Sequence, residues 1–409
     1  MSELPKFKSR ILALVTFMTA IALTAMGQDK RPSIAEEGHL ITAGEESAFW
    51  KWIKSEGLPV DTGYVIDDVT TVRLGPWKRL GVSGAVIYLN GDGGQMAGYI
   101  AGIDPAQKTA PERHIYEEHI YVISGSGETV VWQEGRPKVT AKWKRGTLFS
   151  VPLNTWHEHV NTGTEPVRLI GLSNSPLVID LFRNLDFVFQ NNFRFTERFD
   201  GQSNFFDPVP SKMEPPSGHR HSYSITNLVP DVYTVKLFPA GHGLIGTGVG
   251  TTDTHFEMAN DTLDAHVEEW QPGVYERGHR HGAGDNVLII RGRGYSLMWP
   301  ATAGTRPFAE GHGDQVIRVD WHPMTLFVPP LGWYHQHFNT SSEGARFVKL
   351  DGWENRVYPL TSKQTFNQTA ISIEYQDEDP KMREMYQAEL KKAGIQFRMP
   401  SLEELRKQK

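Results

Sequence analysis

Two stretches of this 409-residue chain carry the same residues in the same order, and this internal repeat restricts the fold more than any other feature. The pairs at an offset of 167 residues are Glu118 with Asp285, Gly125 with Gly292, Gly127 with Gly294 and Trp132 with Trp299. The pairs at an offset of 178 residues are Pro152 with Pro330, His157 with His335, His159 with His337, and Asn161 with Asn339. The change of offset indicates one loop insertion of 11 residues in the second copy. We therefore predict two copies of one domain.

Each copy has the composition of a β-structure. Short β-branched and aromatic runs, such as 120–123, 129–132 and 287–290, are separated by glycine or proline turns. Helical periodicity occurs mainly near the C-terminus, where Asp379 can cap a helix that begins at Pro380 and Gly394 can end it. The sequence predicts an all-β protein of two tandem domains with short C-terminal helices.

The N-terminus resembles a targeting segment. Basic residues precede an uncharged stretch from Ile11 to Gln28, and the stretch ends in the small residues of Ala25-Met26-Gly27. This pattern predicts a signal peptide over 1–27 and a periplasmic or secreted protein, with a retained membrane anchor as the alternative. We expect the remaining chain to divide into an N-terminal arm (28–95), a first domain (96–175), a linker (176–232), a second domain (233–352) and a C-terminal helical tail (353–409).

Charge and cysteine content exclude several functions. The chain has 42 basic and 48 acidic residues, a net charge of −6, which argues against a nucleic-acid partner. It has no cysteine, so disulfides, thiolate metal sites and cysteine nucleophiles are excluded. Any metal must therefore be held by the 16 histidines and by carboxylates.

The second copy carries a predicted metal site. His279 and His281 are two residues apart, so on a strand they face the same side and can bind one ion. His335 can supply a third imidazole from another strand. Asp285 lies on the same side if the strand is regular, although a bulge at 282–284 would turn it away.

The first copy offers a set of ligands richer in oxygen. The candidates are Glu112, His114, Glu118 and His157. This set suits manganese, and the alternative is a degenerate domain interior with a structural role.

Three further residues are candidates for contacts with a substrate. His337 follows His335 by two residues and should face inward, either as a catalytic proton carrier or as a residue that orients the metal-bound imidazole. Trp299 and Trp333 are candidate substrate-binding walls, or simply core.

The spacing of these residues resembles the two signature motifs of the cupin superfamily. In the second copy the motifs are Gly273-x5-His279-x-His281-x3-Asp285-x6-Gly292 and Pro330-x-Gly332-x2-His335-x3-Asn339, and the first copy resembles them too. The resemblance covers roughly 96–352 and implies two jelly-roll barrels of about six to eight antiparallel strands, a bicupin with a metal inside. The departures are Glu112 for the first histidine, Asn154 and Met324 for glycines, and Asp285 for glutamate.

Three histidines without a glutamate are similar to the pattern of gentisate-type ring-cleaving dioxygenases. This resemblance implies iron(II), dioxygen and a hydroxylated aromatic acid as the small-molecule substrate. The alternatives are a manganese(II)-dependent decarboxylase or isomerase, resembling the oxalate decarboxylase and sugar-isomerase branches, and a non-catalytic small-molecule-binding cupin. We also expect a homo-oligomer, with residues 28–95 as a possible assembly arm.

Overall fold

The computed structural model describes residues 40–42, 45–208, 223–239, 248–281, 285–351 and 372–407. The predicted signal peptide, residues 1–27, lies outside these residues. Within the described ranges, none of the helices combines the length and the apolar character that crossing a bilayer requires.

The chain enters the first barrel through a helix. After the short strands β1 (Leu40–Thr42) and β2 (Glu45–Glu46), helix α1 spans Ala48–Glu56. The Ser47 side chain caps it by accepting a hydrogen bond from the Trp50 N–H at 3.1 Å, and Gly57 ends it in the left-handed conformation. The apolar face of α1 packs on the inside of the first barrel.

Eleven further strands follow β1 and β2 in the described residues of the first half of the chain. The following strands are β3 (Val60–Gly63), β4 (Val65–Ile66), β5 (Gly75–Trp77), β6 (Val82–Leu89), β7 (Ala97–Ile103), β8 (Glu118–Ser124), β9 (Ser126–Trp132), β10 (Val139–Lys144), β11 (Leu148–Ser150), β12 (Trp156–Asn161) and β13 (Val167–Ser173). Strands β6–β13 form barrel 1, with β11-β8-β13-β7-β6 in one antiparallel sheet and β10-β9-β12 in the other. Strand β6, which lies within the segment predicted as an arm, is hydrogen-bonded to β7.

A linking segment leads to the second barrel. It contains α2 (Ser175–Phe182), α3 (Leu185–Gln190), β14 (Tyr223–Ile225), β15 (Leu228–Val229) and β16 (Phe238–Pro239). Strand β15 extends the large sheet of barrel 1 by pairing with β11.

The second half repeats the first. Its strands are β17 (Thr251–Glu257), β18 (Asp264–Trp270), β19 (Asp285–Arg291), β20 (Gly294–Trp299), β21 (Ile317–Trp321), β22 (Leu326–Phe327), β23 (Tyr334–Asn339) and β24 (Ala345–Asp351). They form barrel 2, with the orders β22-β19-β24-β18-β17 and β21-β20-β23, the same as in barrel 1. The predicted tandem jelly-roll architecture is confirmed.

The two barrels pack through their larger sheets. Outward-facing residues of barrel 1, such as Ile100 and Ile170, share one buried cluster with Leu288 and Val348 of barrel 2. In the same sheets, alternate residues point into each barrel, as the two-residue period of a strand requires. Strand β4 also pairs with β22, so the N-terminal part of the chain joins the sheet of barrel 2.

The C-terminal helices close the outer side of barrel 2. Helix α4 spans Pro380–Ala393, is capped by Asp379 and ends at Gly394, as predicted. Its buried residues Met382, Tyr386 and Leu390 pack on the barrel, and α5 (Leu402–Lys407) follows.

Two of the departures from the motifs keep the backbone shape that glycine provides. Asn154 has a φ of 57° where Gly332 has 71°, and Met324 has 74° where Gly146 has 87°. The left-handed turn is therefore retained in both barrels, with residues that adopt it less readily than glycine.

Candidate metal centres

Barrel 2 brings its three predicted histidine ligands together. The backbones of His279 and His335 bridge each other through two N–H···O bonds of 3.0 and 2.8 Å. Their ring centroids lie 4.2 Å apart, and the His281 ring is 4.8 Å from that of His335. One ligand nitrogen from each of the three lies within 4.8 Å of the other two. We call these residues the barrel 2 histidine set.

Two of these imidazoles are held in the tautomer that binds metals. The Nδ1–H of His279 donates to the Arg277 carbonyl at 3.0 Å, and that of His335 donates to the Trp333 carbonyl at 3.3 Å. Each Nε2 therefore keeps its lone pair. Burial and the neighbouring imidazoles hold the pKa values of His279 and His335 well below the usual range, so both rings are neutral. The buried Nε2 of His335 has no hydrogen-bond partner among the described residues, as expected of a ligand atom.

Asp285 lies beside the histidine set but outside the 4.8 Å group. Its Oδ2 is 3.1 Å from His281 Nε2 and 3.4 Å from the Nζ of Lys349 on β24. Burial favours the neutral acid, but His281 and Lys349 hold the pKa of Asp285 well below its usual range. The carboxylate is thus ionised and shared between an imidazole and an ammonium group.

Barrel 1 gathers His114, Glu118 and His157 in the equivalent place, again with ligand atoms within 4.8 Å. His114 Nδ1 donates to the Tyr116 carbonyl at 2.9 Å and His157 Nδ1 donates to the Thr155 carbonyl at 3.1 Å. Glu118 Oε1 and His157 Nε2 are buried and, in the part of the chain that the structure describes, make no hydrogen bond. Burial favours neutral Glu118, yet His114 lowers the pKa of this carboxyl. The donor set fits a divalent ion.

The fourth candidate of barrel 1, Glu112, has a different principal partner. Its Oε2 accepts a hydrogen bond from Arg79 Nη1 at 2.5 Å, whereas its Oε1 is 3.8 Å from His157 Nε2. Burial opposes ionisation, but Arg79, followed by the two histidines, lowers the pKa of Glu112 to about 2. Arg79 also contacts Glu56 at 3.0 Å. Nothing in the motifs marks Arg79, because its role depends on a contact with a residue 33 positions away.

A small structural difference explains why Glu118 joins its group and Asp285 does not. Residue 171 on β13 is glycine, and a Cβ there would lie 2.3 Å from Glu118 Oε1. The equivalent position on β24 is Lys349, which has room because Asp285 is one methylene shorter than glutamate. The longer side chain of Glu118 therefore requires a glycine at position 171, whereas the shorter Asp285 leaves space for the side chain of Lys349.

The predicted proton carrier His337 is fully buried next to the histidine set. Its Nδ1 is hydrogen-bonded to Ser296 Oγ at 2.7 Å, and its ring stacks on Trp270 with centroids 4.7 Å apart. Its Nε2 lies 3.7 Å from Glu276 Oε2 and makes no hydrogen bond within the described ranges. His159 repeats the arrangement in barrel 1 with Thr129 at 2.7 Å.

The two tryptophans occupy packed positions. Trp299 is fully buried, stacks on Tyr334 and shares a hydrophobic cluster with Tyr386 of α4. Trp333 is half-buried and packs against the apolar cluster of barrel 2 that contains Trp270 and Phe347. Contact of either residue with a substrate stays a prediction.

The chain is similar to known proteins in one family model and in several solved structures. Residues 99–173, in barrel 1, match the family model described as "Cupin domain", and no curated protein matches the chain. Among solved structures, the chain is similar to an oxalate decarboxylase of Bacillus subtilis at 12% identity, covering 76% of this chain and 84% of that one with a TM-score of 0.44. It is also similar to vicilin of hazelnut, Corylus avellana (11% identity, 74% and 94% covered, TM-score 0.43). A third similar structure is the 7S globulin of Momordica charantia (11% identity, 80% and 96% covered, TM-score 0.45).

Proposed function

Taking the chain as a protein of two tandem cupin barrels, we propose that barrel 2 is the centre of an iron(II)-dependent dioxygenase that cleaves a hydroxylated aromatic acid. One observation carries the proposal: three imidazoles, of which His279 and His335 are neutral, converge without a carboxylate in the group. A facial set of three ligands suits iron(II) and leaves coordination positions for a bidentate oxygen ligand and for dioxygen. Both atoms of dioxygen would enter the cleaved ring, so no external reductant is consumed.

The bound metal would supply Lewis acidity and a path for electron density between the two reactants. The residues of the chain would do the rest. The Nε2 of His337, which lies 3.7 Å from Glu276 Oε2, would accept or return the proton of a substrate hydroxyl. The ammonium group of Lys349 is a buried cation beside Asp285 and would form an ion pair with a substrate carboxylate. The apolar cluster that contains Val287, Ile289 and Phe347 fills the interior of barrel 2 and would exclude water from the site.

A specific observation favours a second candidate in barrel 1. Two histidines and Glu118 form a harder donor set than three histidines, and such a set suits manganese(II). The corresponding activity is an oxygen-independent decarboxylation or isomerisation.

The test compares the same position in the two barrels. Apo protein is loaded with iron(II), and oxygen uptake is measured with ortho- and para-dihydroxybenzoic acids. We expect His335→Ala to abolish uptake and its barrel 1 counterpart, His157→Ala, to retain it. Structural zinc sites with four ligands bind the ion with a free energy of about 10–16 kcal/mol, which is about 2.5–4 kcal/mol for each ligand. The loss of one histidine should therefore weaken metal binding by roughly a hundred- to a thousand-fold.

The other outcomes identify the alternatives. Turnover under anaerobic conditions with manganese(II), lost in His157→Ala and kept in His335→Ala, would replace the first proposal with the second. Tight retention of a ligand without turnover in either atmosphere would identify a binding protein and overturn both catalytic proposals.

A further inference from the structure

A different group of buried ligand-type side chains lies on β17 and β18. His255 and His266 are direct cross-strand partners, and Asp264 precedes His266 by two residues on the same face. Their rings stack with centroids 4.2 Å apart, and His255 Nδ1 is 2.9 Å from Asp264 Oδ2. One ligand atom from each of the three lies within 4.8 Å of the others, and all three residues are buried. We call them the His–Asp–His cluster.

Barrel 1 shows that this cluster is not a general requirement of the barrel. Strands β17 and β18 of barrel 2 occupy the same places in their sheet as β6 and β7 of barrel 1. The registers of the two strand pairs therefore identify the equivalent residues. The residues in these places are Val86, Ala97 and Tyr99. They belong to the hydrophobic cluster that packs against α1. At the same positions, barrel 2 has two imidazoles and a carboxylate in place of an apolar lining.

Two more carboxylates border the cluster. Asp253 Oδ2 is 3.9 Å from His255 Nε2, and Glu268 Oε2 is 3.8 Å from His266 Nε2. Their places in barrel 1 are taken by Gly84 and Ala101. Three carboxylates therefore surround two imidazoles in a buried space. Burying such an excess of negative charge is costly unless a cation or protons compensate it.

Among the described residues, Lys349 places an ammonium group beside these carboxylates. Its Nζ lies 3.8 Å from Glu268 Oε2, but it also lies 3.4 Å from Asp285 Oδ2, beside the histidine set. One ammonium group is thus shared by carboxylates on both sides of it.

We infer that His255, Asp264 and His266 form a second divalent-cation site in barrel 2, separate from the histidine set. Two imidazoles and a carboxylate suit a first-row transition ion such as manganese(II), iron(II), cobalt(II) or zinc(II). Metal–ligand bonds of about 2.0–2.2 Å require the three ligand atoms to converge, which small side-chain rotations achieve from within 4.8 Å. The chain Asp285–Lys349–Glu268 connects this site to the histidine set. The inference does not depend on which reaction barrel 2 catalyses.

The site is tested by counting bound metal. The apo chain is titrated with cobalt(II), whose visible absorption reports each site, and bound metal is measured by elemental analysis. We expect the intact protein to bind one equivalent more than either Asp264→Asn or His266→Tyr. Asp264→Asn keeps the shape of the side chain, and His266→Tyr installs the residue that barrel 1 has at this position.

Asp253→Asn is the matched control, because it removes a buried carboxylate of the same face that lies outside the cluster. It should keep the full number of equivalents, and the absorption bands that His335→Ala removes should persist in all three variants. The inference is overturned if Asp264→Asn binds as much cobalt(II) as the intact protein. It is equally overturned if Asp253→Asn and Asp264→Asn lose the same amount, since the carboxylates would then act only as diffuse charge or bind protons.

Discussion

Glu378 allows the link between burial and pH to be measured in barrel 2. It lies just before α4, accepts a short hydrogen bond from the Tyr275 hydroxyl and contacts Gln336 Nε2 at 3.2 Å. Gln336 is the residue between His335 and His337, so this carboxyl supports the strand that carries them. Burial, the largest influence, raises the pKa of Glu378 from 4.5 to about 7.

The size and sign of the effect follow from this pKa. Between pH 4.5 and about pH 7 the folded protein keeps a proton that the unfolded chain has lost. The stabilisation is therefore fully present below pH 4.5 and is lost as the pH rises through 7. A shift of about 2.5 pH units corresponds to about 3 kcal/mol, since one unit is worth about 1.36 kcal/mol.

Glu378→Gln should remove this dependence, because glutamine imitates the neutral acid and has no proton to lose. About 2.5 kcal/mol of this effect falls between pH 5 and pH 8. We therefore expect the melting temperature of the variant to gain about 5–10 °C relative to the wild type over this interval, taking about 2–4 °C per kcal/mol for a domain of this size. Thermal unfolding of the apo protein in a chelator, at a series of pH values, measures it.

Glu374→Gln is the control for the change of net charge, because it removes a more exposed carboxylate from the same segment, one that pairs with Arg277. The reasoning is refuted if the wild type and Glu378→Gln keep parallel profiles of melting temperature against pH. It is also refuted if the variant is relatively less stable at pH 8 than at pH 5.

Two further predictions concern the metal ligands. Gly171→Ala should cost barrel 1 its metal equivalent, because the new Cβ would lie 2.3 Å from Glu118 Oε1. Gly102→Ala is the control and should keep the metal equivalent, because its Cβ would meet only the side chains of Leu74 and Ser83 on the outer face of the same sheet. Elemental analysis decides this, and an unchanged equivalent in Gly171→Ala would show that Glu118 is not needed. Lys349→Met should tighten metal binding at the histidine set of barrel 2 roughly ten-fold, which is about 1.4 kcal/mol. The variant removes a positive charge near the site and frees Asp285 from its contact with the ammonium group. Competition with a chelator measures the dissociation constant, and weaker binding would mean that Lys349 supports the site.

The repeat, the strands and the ligand pairs could be read from the sequence because they depend on local spacing. Residues two apart on a strand share a face whatever surrounds them, so the spacing predicts that His279 and His281 lie together, and their ligand atoms lie within 4.8 Å. The turns at Asn154 and Met324 were not readable in this way, because the sequence shows only that glycines are replaced, and the structure shows that the left-handed backbone is kept. The capping residues marked both ends of α4.

What the sequence left open was decided by contacts between residues far apart in the chain. The sequence does not decide whether Asp285 is a ligand. Lys349, 64 residues later on a neighbouring strand, holds it beside the histidine set. Arg79 engages Glu112 in the same manner in barrel 1. The pairing of His255 with His266 depends on the register between two strands, which no motif encodes. The spacing of residues along one strand determines which side chains share a face of the sheet. The register between strands and the packing of the barrel determine which charged groups lie next to each other. The ionisation of a buried carboxylate depends on those neighbouring charges, so only the tertiary structure decides it.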